Sequence, residues 1–252
     1  MELIAVLSPL LKQGDDLAYV LMSAGLQSGD IVVISSKAIA TVEGAMIDLS
    51  SVMPSPEAIA WAKECGGSPE FRQAVLDEVK RLHGNILPSC PQAMLTELQP
   101  EGLPSGTILV ANAGLDESNA PKGTCIGWPR DPVESVRKLR KELENKSEGK
   151  IAIILSDSTC RPRRIGVTAI ALTASGIDPL ESRIGSADLF GKKLRMTQEA
   201  VADQLATAAN MLMGNGAEST PAVIIRHHGI PLSEYEGWVP GIEPEADLFC
   251  GL

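Results

Sequence analysis

DPVESVRKLRKELENKSEGKIAIIL, residues 131–155, carries the transition on which the fold reading turns. Asp131 caps, Pro132 occupies the first turn, and Glu134 stands three residues after the cap, so a helix begins here. Val133, Val136, Leu139 and Leu143 then recur at helical spacing. A short apolar run follows, IAIIL (151–155), bounded by charge and by Ser156, and it reads as a buried strand. Three more runs have that character: IVVIS (31–35), ILVA (108–111) and AVII (222–225). VTAIALTA (167–174), rich in β-branched residues, makes a fifth. Helices are expected over 15–26 and 69–83. Another runs from Thr197 through Ala200, Val201, Leu205, Ala208, Ala209 and Leu212, with Gly214 to end it. Strands alternating with helices predict an α/β chain. There is no internal repeat and no low-complexity linker, so 1–252 reads as one unit. A weak subdomain boundary falls in the polar, Gly- and Pro-bearing region 84–106.

The bulk numbers narrow the function classes. Hydrophobic residues make up 44% of 252, and aromatics only 3%, so the core must be aliphatic. The net charge of −10 argues against a nucleic-acid partner bound on a general basic face. A polyanionic small ligand remains compatible if local arginines or bound metal offset the field. The opening MELIAVLSPLLKQGDD lacks a basic start and a cleavage site, and reads as strand and turn, not a signal peptide. No apolar run reaches the length of a membrane span. The five cysteines (Cys65, Cys90, Cys125, Cys160, Cys250) are scattered with no CxxC pair. They fit reduced thiols in a cytoplasm and give a zinc site little support.

Two polar clusters sit just past predicted strands. NAGLDESNAP (112–121) gathers Asp116, Glu117, Ser118 and Asn119 behind ILVA. Carboxylate, amide and hydroxyl oxygens suit a hard cation such as magnesium or manganese, and equally suit an Asx-turn or helix cap. SDSTCRPRR (156–164) follows IAIIL with Asp157, Ser158 and Thr159, then Arg161, Arg163 and Arg164. An acid to hold a cation beside guanidinium forks is what a metal-bound phosphate ester requires. The plain alternative is a surface loop with solvated arginines. GNGAEST (214–220) has little side-chain bulk, so its backbone N–H groups can approach phosphates; an ordinary helix-to-strand connection looks the same. In SSKAIATVEG (35–44), Ser36 and Lys37 leave the strand IVVIS, and Lys37 suits a phosphate or plain solvent. Neither GxxxxGK[ST] nor GxGxxG occurs, so the chain reads as neither P-loop nor Rossmann. His83, His227 and His228 form no catalytic or zinc arrangement and read as structural. Cys160, among arginines, is the candidate reactive thiol.

Taken together and in order, these segments resemble the coenzyme F420 gamma-glutamyl ligase family over nearly the whole chain. SPLLKQGDDLA (8–18) resembles that family's opening Pro-x-x-x-x-Gly-Asp-Asp-Leu. SSKAIATVEG resembles its SK…EG strand exit, NAGLDESN its NAG-[IV]-D-x-SN loop, and SDSTCRPRRIG its SDT-x-GRP-x-R-x-G loop. ADLFGKKL (187–194), AVADQLATAANMLMG (200–214) and EADLF (245–249) complete the pattern. The resemblance implies an α/β fold of mixed sheets with packed helices and an intertwined homodimer. It implies a GTP-dependent ligase: GTP phosphorylates a carboxylate on a small-molecule acceptor, and the amine of L-glutamate then displaces phosphate. Two divalent cations, Mg2+ or Mn2+, serve the phosphates.

Carried over by position, the resemblance implies Asp116 and Asp157 as ligands of the first metal, with Ser158 and Asn215 on the second. It implies nucleotide contacts at Ser8, Pro9, Leu10, Leu11, Ser36, Lys37 and Asn119. Further nucleotide contacts fall on Met213, Gly214, Asn215, Gly216, Ala217, Glu218, Ser219 and Thr220. Arg161 and Arg164 are expected on anionic ligand groups in a catalytic role. The chain also departs from the pattern. Thr41 stands where a second Lys is usual, Ser158 replaces Thr, Asn215 replaces Gln, and Cys160 and Arg163 replace Gly and Trp. TELQPEGLPSG (96–106) lacks the usual His-Gly. The acceptor, a deazaflavin precursor or another carboxylate such as a folate, is therefore left open, as is a nucleotide-binding protein without catalysis. WVPGIEPEADLF (238–249), apolar without helical period, is the expected dimer surface. Asp116 and Asp157, as two neighbouring carboxylates, are expected to repel unless one divalent ion joins them.

Overall fold

The computed structural model describes residues 1–87 and 91–249, so Cys90 and Cys250 lie outside the described residues. In chain order the first elements are β1 (Glu2–Val6), α1 (Leu17–Ser23), β2 (Ile31–Ser35), α2 (Ser36–Val42), β3 (Ile47–Asp48), α3 (Pro56–Cys65) and α4 (Pro69–Arg81). Next come β4 (Asn85–Ile86), β5 (Leu95–Leu98), β6 (Ile108–Ala111), β7 (Thr124–Cys125), α5 (Pro132–Ser147), β8 (Ala152–Cys160) and β9 (Val167–Ser175). The chain closes with β10 (Glu181–Ser182), β11 (Gln198–Glu199), α6 (Val201–Met213), β12 (Ala222–Arg226) and β13 (Glu236–Trp238). The result is the expected mixture of sheets and packed helices.

A six-stranded sheet in the order β1-β12-β2-β8-β9-β13 forms the centre. Its apolar runs are buried on both faces, and alternation divides them. Val32, Ile34, Ile153, Leu155 and Ile224 enter one core, with Leu17 and Leu21 of α1 and Val136 and Leu143 of α5. Ile31, Val33, Ala152, Ile154, Val223 and Ile225 enter the other, under α6. Helix layers on both faces explain why these strands are continuously apolar rather than alternating. α6 meets the sheet through Ala202, Ala206 and Ala209, small enough for close approach, with Leu205 and Met213 filling between. Each fully buried Ile or Leu contributes about 1.5–3 kcal/mol, so the aliphatic core is sufficient without aromatic bulk.

Local chemistry sets the helix ends. Asp131 accepts from the Glu134 amide, and Asp16 from that of Tyr19. Ser68 and Ser55 do the same for α4 and α3, each followed by Pro in the first turn. Two helices fall where no helix was expected: α3, and α2, which continues from β2 with no intervening loop. α6 starts at Val201, later than its apolar spacing suggested, because Gln198 and Glu199 pair as strand with Glu181 and Ser182.

Three departures matter for the site. β2 and β8 are the one parallel pair of the central sheet; its other neighbours are antiparallel. ILVA forms β6, but in a separate antiparallel sheet β4-β5-β6. Pairing with nearby β5 closes a much shorter loop than joining the central sheet would. SDSTC is strand rather than loop. Beyond an irregularity at Leu155/Ser156, β8 runs on to Cys160 paired with β9, past the end of β2 at Ser35. Burial falls away along this extension, and Arg161 to Gly166 form the exposed tip of a projecting hairpin.

Candidate functional site

The parallel β2–β8 pair ends at Ser35 opposite Ser156. The next residues of each strand therefore emerge together: Ser36 and Lys37 at the start of α2, Asp157 and Ser158 on the β8 extension. A cavity of about 870 Å3 opens at this edge. Its walls are residues 8–13 after β1, Lys37 and Thr41 of α2, Asp116 and residues 118–121, residues 156–158, and residues 213–221 before β12. Ser8 N–H donates to Ser219 O at 3.0 Å, and Asn119 Nδ2 to Gly216 O at 3.0 Å, so the walls bond to one another.

Asp116 reaches the cavity from the second sheet. Asn112, Ala113 and Gly114 all have positive φ, a tight reversal that carries the chain from β6 toward the central sheet. The reversal is anchored: buried Arg72 donates from Nη1 to Asn112 Oδ1 at 2.7 Å, and Met94 N–H donates to that same oxygen at 3.1 Å. Asp116 and Ile126 then exchange backbone hydrogen bonds, each 2.9 Å. Lys37 Nζ meets Asp116 Oδ2 at 2.5 Å and Ser118 Oγ at 3.0 Å, and the Ser118 hydroxyl also donates to Asp116. Burial alone raises the Asp116 carboxyl; hydrogen bonds from Lys37 and Ser118 outweigh it and hold the group below the usual range.

Asp157 has a different environment. Burial pushes its carboxyl above the usual range, opposed by donors from Trp128 and Ser158 and by the charge of Lys37. Trp128 Nε1–H donates to Oδ2 at 2.7 Å and Ser158 N–H to Oδ1 at 2.9 Å. Among the described residues no basic group lies within ion-pair distance of it. Ser36 Oγ, buried and without a hydrogen-bond partner, lies near enough to favour the charged carboxylate.

Of the residues singled out in the sequence, Ser8, Pro9, Leu10, Leu11, Lys37, Asn119 and 213–220 line the cavity, as do Asp116, Asp157 and Ser158. Ser36 is buried just behind the wall. The glycine-rich loop departs from the expectation in one respect: Gly216 N–H already donates to Glu218 Oε2 at 2.8 Å. A phosphate at that amide must displace a carboxylate. Arg161 and Arg164 lie at the hairpin tip, exposed and outside the cavity wall. Among the described residues neither forms an ion pair, and the charge of Arg161 acts on Asp203, a partly buried acid of α6 that accepts from Ala171 N–H at 2.8 Å. Cavity residues that the sequence reading passed over are Lys12, Gln13, Met46 and Asn210. Trp128, behind the wall, was also missed. Its 2% exposure follows from packing against Trp238, with ring centroids 6.0 Å apart.

Among the described residues no three His, Cys, Asp or Glu side chains gather to hold a metal. The side-chain oxygens lining the cavity include the Asp116, Asp157 and Glu218 carboxylates, the Ser118 and Ser158 hydroxyls, and the Asn119 and Asn215 amides. That set fits magnesium or manganese, which bind through one or two carboxylates and complete their shell with water and phosphate. His228 is structural as expected: its Nδ1 accepts from Ile230 N–H and its Nε2 donates to Gly29 O. Burial pushes the Cys125 thiol up to about 12, whereas Cys160 is exposed on the hairpin. No helix of the described residues is long and apolar enough to cross a membrane.

The family described as F420-0:gamma-glutamyl ligase matches residues 5–227. The chain is similar to the coenzyme F420:L-glutamate ligase of Methanocaldococcus jannaschii, with 38% identity over 239 residues, 94% of this chain and 92% of that protein. It is 38% identical to the ligase of that name from Methanopyrus kandleri, over 90% of this chain and 86% of that protein. For the Methanothermobacter thermautotrophicus ligase the identity is 36%, over 96% of each.

Proposed function

Because the chain belongs to the F420-0:gamma-glutamyl ligase family, we propose that it joins L-glutamate to a carboxylate of the coenzyme F420 precursor, using GTP and Mg2+ or Mn2+. The observation that carries this reading is that Lys37, Asp116, Asp157 and Ser158 line one large cavity together with the small-residue loop 213–220.

In this reading the acceptor carboxylate oxygen attacks the γ-phosphorus of GTP and GDP leaves. The glutamate nitrogen then attacks the acyl carbon, phosphate departs, and the nitrogen sheds a proton to form the amide. Phosphoryl transfer asks the protein for positioning and charge more than for covalent chemistry. Asp116 and Asp157 would hold a divalent cation, and Ser158 and Asn215 would serve a second; such ions would neutralise phosphate charge. Lys37 supplies a mobile ammonium beside the same oxygens. Loops 8–11 and 213–220 and Asn119 enclose the nucleotide, and their mutual hydrogen bonds exclude water from the transfer. Arg161 and Arg164 meet the anionic ligand from the hairpin, which requires it to stand near a cavity mouth.

A turnover assay with GTP, Mn2+, L-glutamate and a panel of carboxylate acceptors tests the proposal. Phosphate release is expected to need acceptor and glutamate together, with a glutamyl amide detected by mass. Turnover of a folate instead of the deazaflavin precursor would replace the acceptor assignment. GTP binding without any turnover would leave a nucleotide-binding protein.

We assign the acting form as a cytoplasmic homodimer. Leu189 and Phe190, on the short hairpin carrying β10 and β11, are 100% and 96% exposed, and Ile165 at the β8–β9 tip is fully exposed. Apolar groups so placed mark a contact surface. In the C-terminal segment Trp238 is buried in this chain's own core, while Ile242, Leu248 and Phe249 stand exposed. Light scattering is expected to read twice the 26.6 kDa chain mass at micromolar concentration; a monomer mass contradicts the assignment.

A further inference from the structure

We propose that Trp128 is a positioning residue that fixes the Asp157 carboxylate for cation binding and ties it to the loop that carries Asp116. The proposal rests on the ligase reading of the cavity.

Trp128 lies outside the cavity wall and acts through Asp157. Its indole Nε1–H donates to Asp157 Oδ2 at 2.7 Å, while Ser158 N–H holds Oδ1 at 2.9 Å. Each carboxylate oxygen thus has one donor from the protein and keeps lone-pair capacity for a cation. With both oxygens held, the side chain has one orientation in which to meet it.

The indole in turn is placed by the Asp116 segment. Asp116 and Ile126 form a two-way backbone bridge, and Trp128 stands two residues beyond Ile126. Gly114 makes room for the ring: a Cβ there would lie 2.6 Å from Trp128 Nε1, and φ at Gly114 is +77°. Gly127 is similarly confined, since a Cβ there would stand 2.8 Å from Leu115 Cδ2. A buried indole N–H needs an acceptor, and a backbone carbonyl would have served a purely structural Trp. Here the acceptor is a carboxylate on the cavity wall, and the donor's position is set by the segment that bears the other carboxylate. Asp116 and Asp157 come from different sheets, so their separation depends on such a link.

The test is Trp128→Phe, which keeps the ring and removes the N–H. Mn2+ binding in the presence of GTP is read from the electron paramagnetic resonance of free Mn2+. The half-saturating Mn2+ concentration is expected to rise about tenfold to a hundredfold, the usual effect of removing a partner behind a ligand. Raising Mn2+ to saturation restores kcat to within about threefold, which a packing defect would not allow. In wild-type protein the Trp128 indole N–H resonance is expected to shift on adding Mg2+ with GTP, a readout that survives even if the variant folds poorly. A half-saturation within twofold of wild type, or an unmoved indole resonance, overturns the proposal. If Asp157→Asn itself binds Mn2+ normally, the cation-site reading has failed and this proposal with it. If Asp157→Asn is defective and Trp128→Phe is not, only the proposal has failed.

Discussion

Asp116→Asn and Asp157→Asn are each expected to abolish metal-dependent GTP binding, yet to change the stability of the metal-free protein in opposite directions. Both carboxylates border the cavity, and a cation held by two protein oxygens does not tolerate the loss of either charge. Calorimetric titration of GTP with and without Mn2+ should show the Mn2+-dependent affinity falling by at least about a hundredfold in each variant, the upper range for a partner behind a ligand and a minimum for a ligand itself. The sequence alone suggested that two neighbouring acids repel until an ion joins them, so that removing either would help the metal-free fold. The structure changes that argument for Asp116, because Lys37 already stands at 2.5 Å from it. Asp116→Asn breaks this pair. Since the Asp116 side chain is 48% exposed, solvent screening limits the cost to about 0.5–1 kcal/mol.

Asp157 has no such partner. Its carboxyl is raised by burial, so its contribution to folding is largest below the usual carboxylate range and is lost as pH rises through the raised value. Asparagine carries no charge and escapes that loss, so at neutral pH Asp157→Asn should melt at or slightly above wild type. Either variant binding Mn2+-GTP as tightly as wild type removes that residue from the ligand set.

How much of this was legible beforehand depends on the range of the interaction. IAIIL, IVVIS and AVII declared themselves as strands because an apolar run buried on both faces needs no partner to be recognised. The cap at Asp131 declared α5 for the same local reason. ILVA was recognised as a strand but not as a member of the second sheet, since pairing is a contest between distant segments that the run itself does not decide. SDSTC looked like a loop because its side chains are polar; only the backbone register with residues 167–171 makes it strand. α2 was hidden because SSKAIATV has no capping hydrogen bond and grows straight out of β2. The cavity-wall acids were legible as strand-end oxygens, but their roles were not separable, because what distinguishes them is Lys37 on one and Trp128 on the other. Trp128 sits in CIGWPRDP, where the following helix cap accounts for the segment, and nothing local marks a carboxylate 29 residues away. Arg161 and Arg164 stand close to Asp157 in sequence, but a strand rises about 3.3 Å per residue and carries them to the hairpin tip, outside the cavity wall.

Lys37→Met should lower turnover by about a hundredfold to a thousandfold, the usual loss when one charged donor is removed from developing anionic oxygens. The same substitution should leave Mn2+ affinity, measured without nucleotide, unchanged or improved. The two effects should separate if, as proposed, a cation and Lys37 compete for Asp116. In the structure the ammonium bonds Oδ2 of Asp116 and also Ser118 Oγ at 3.0 Å. Methionine keeps the length of the stem but offers no donor, so Asp116 is left free for the cation. Lys37 is only 22% exposed, so on release it has little room except toward the cavity, where transferring phosphate oxygens would receive it. In the proposed reading its role is an exchange: counter-ion to Asp116 in the free protein, phosphate ligand with nucleotide bound. Phosphate release at saturating GTP and Mn2+ reads the first quantity, and paramagnetic resonance of free Mn2+ reads the second. Turnover within threefold of wild type would show that Lys37 serves only to neutralise Asp116. A loss of Mn2+ affinity alongside the loss of turnover would show that it holds the loop in shape and does not exchange.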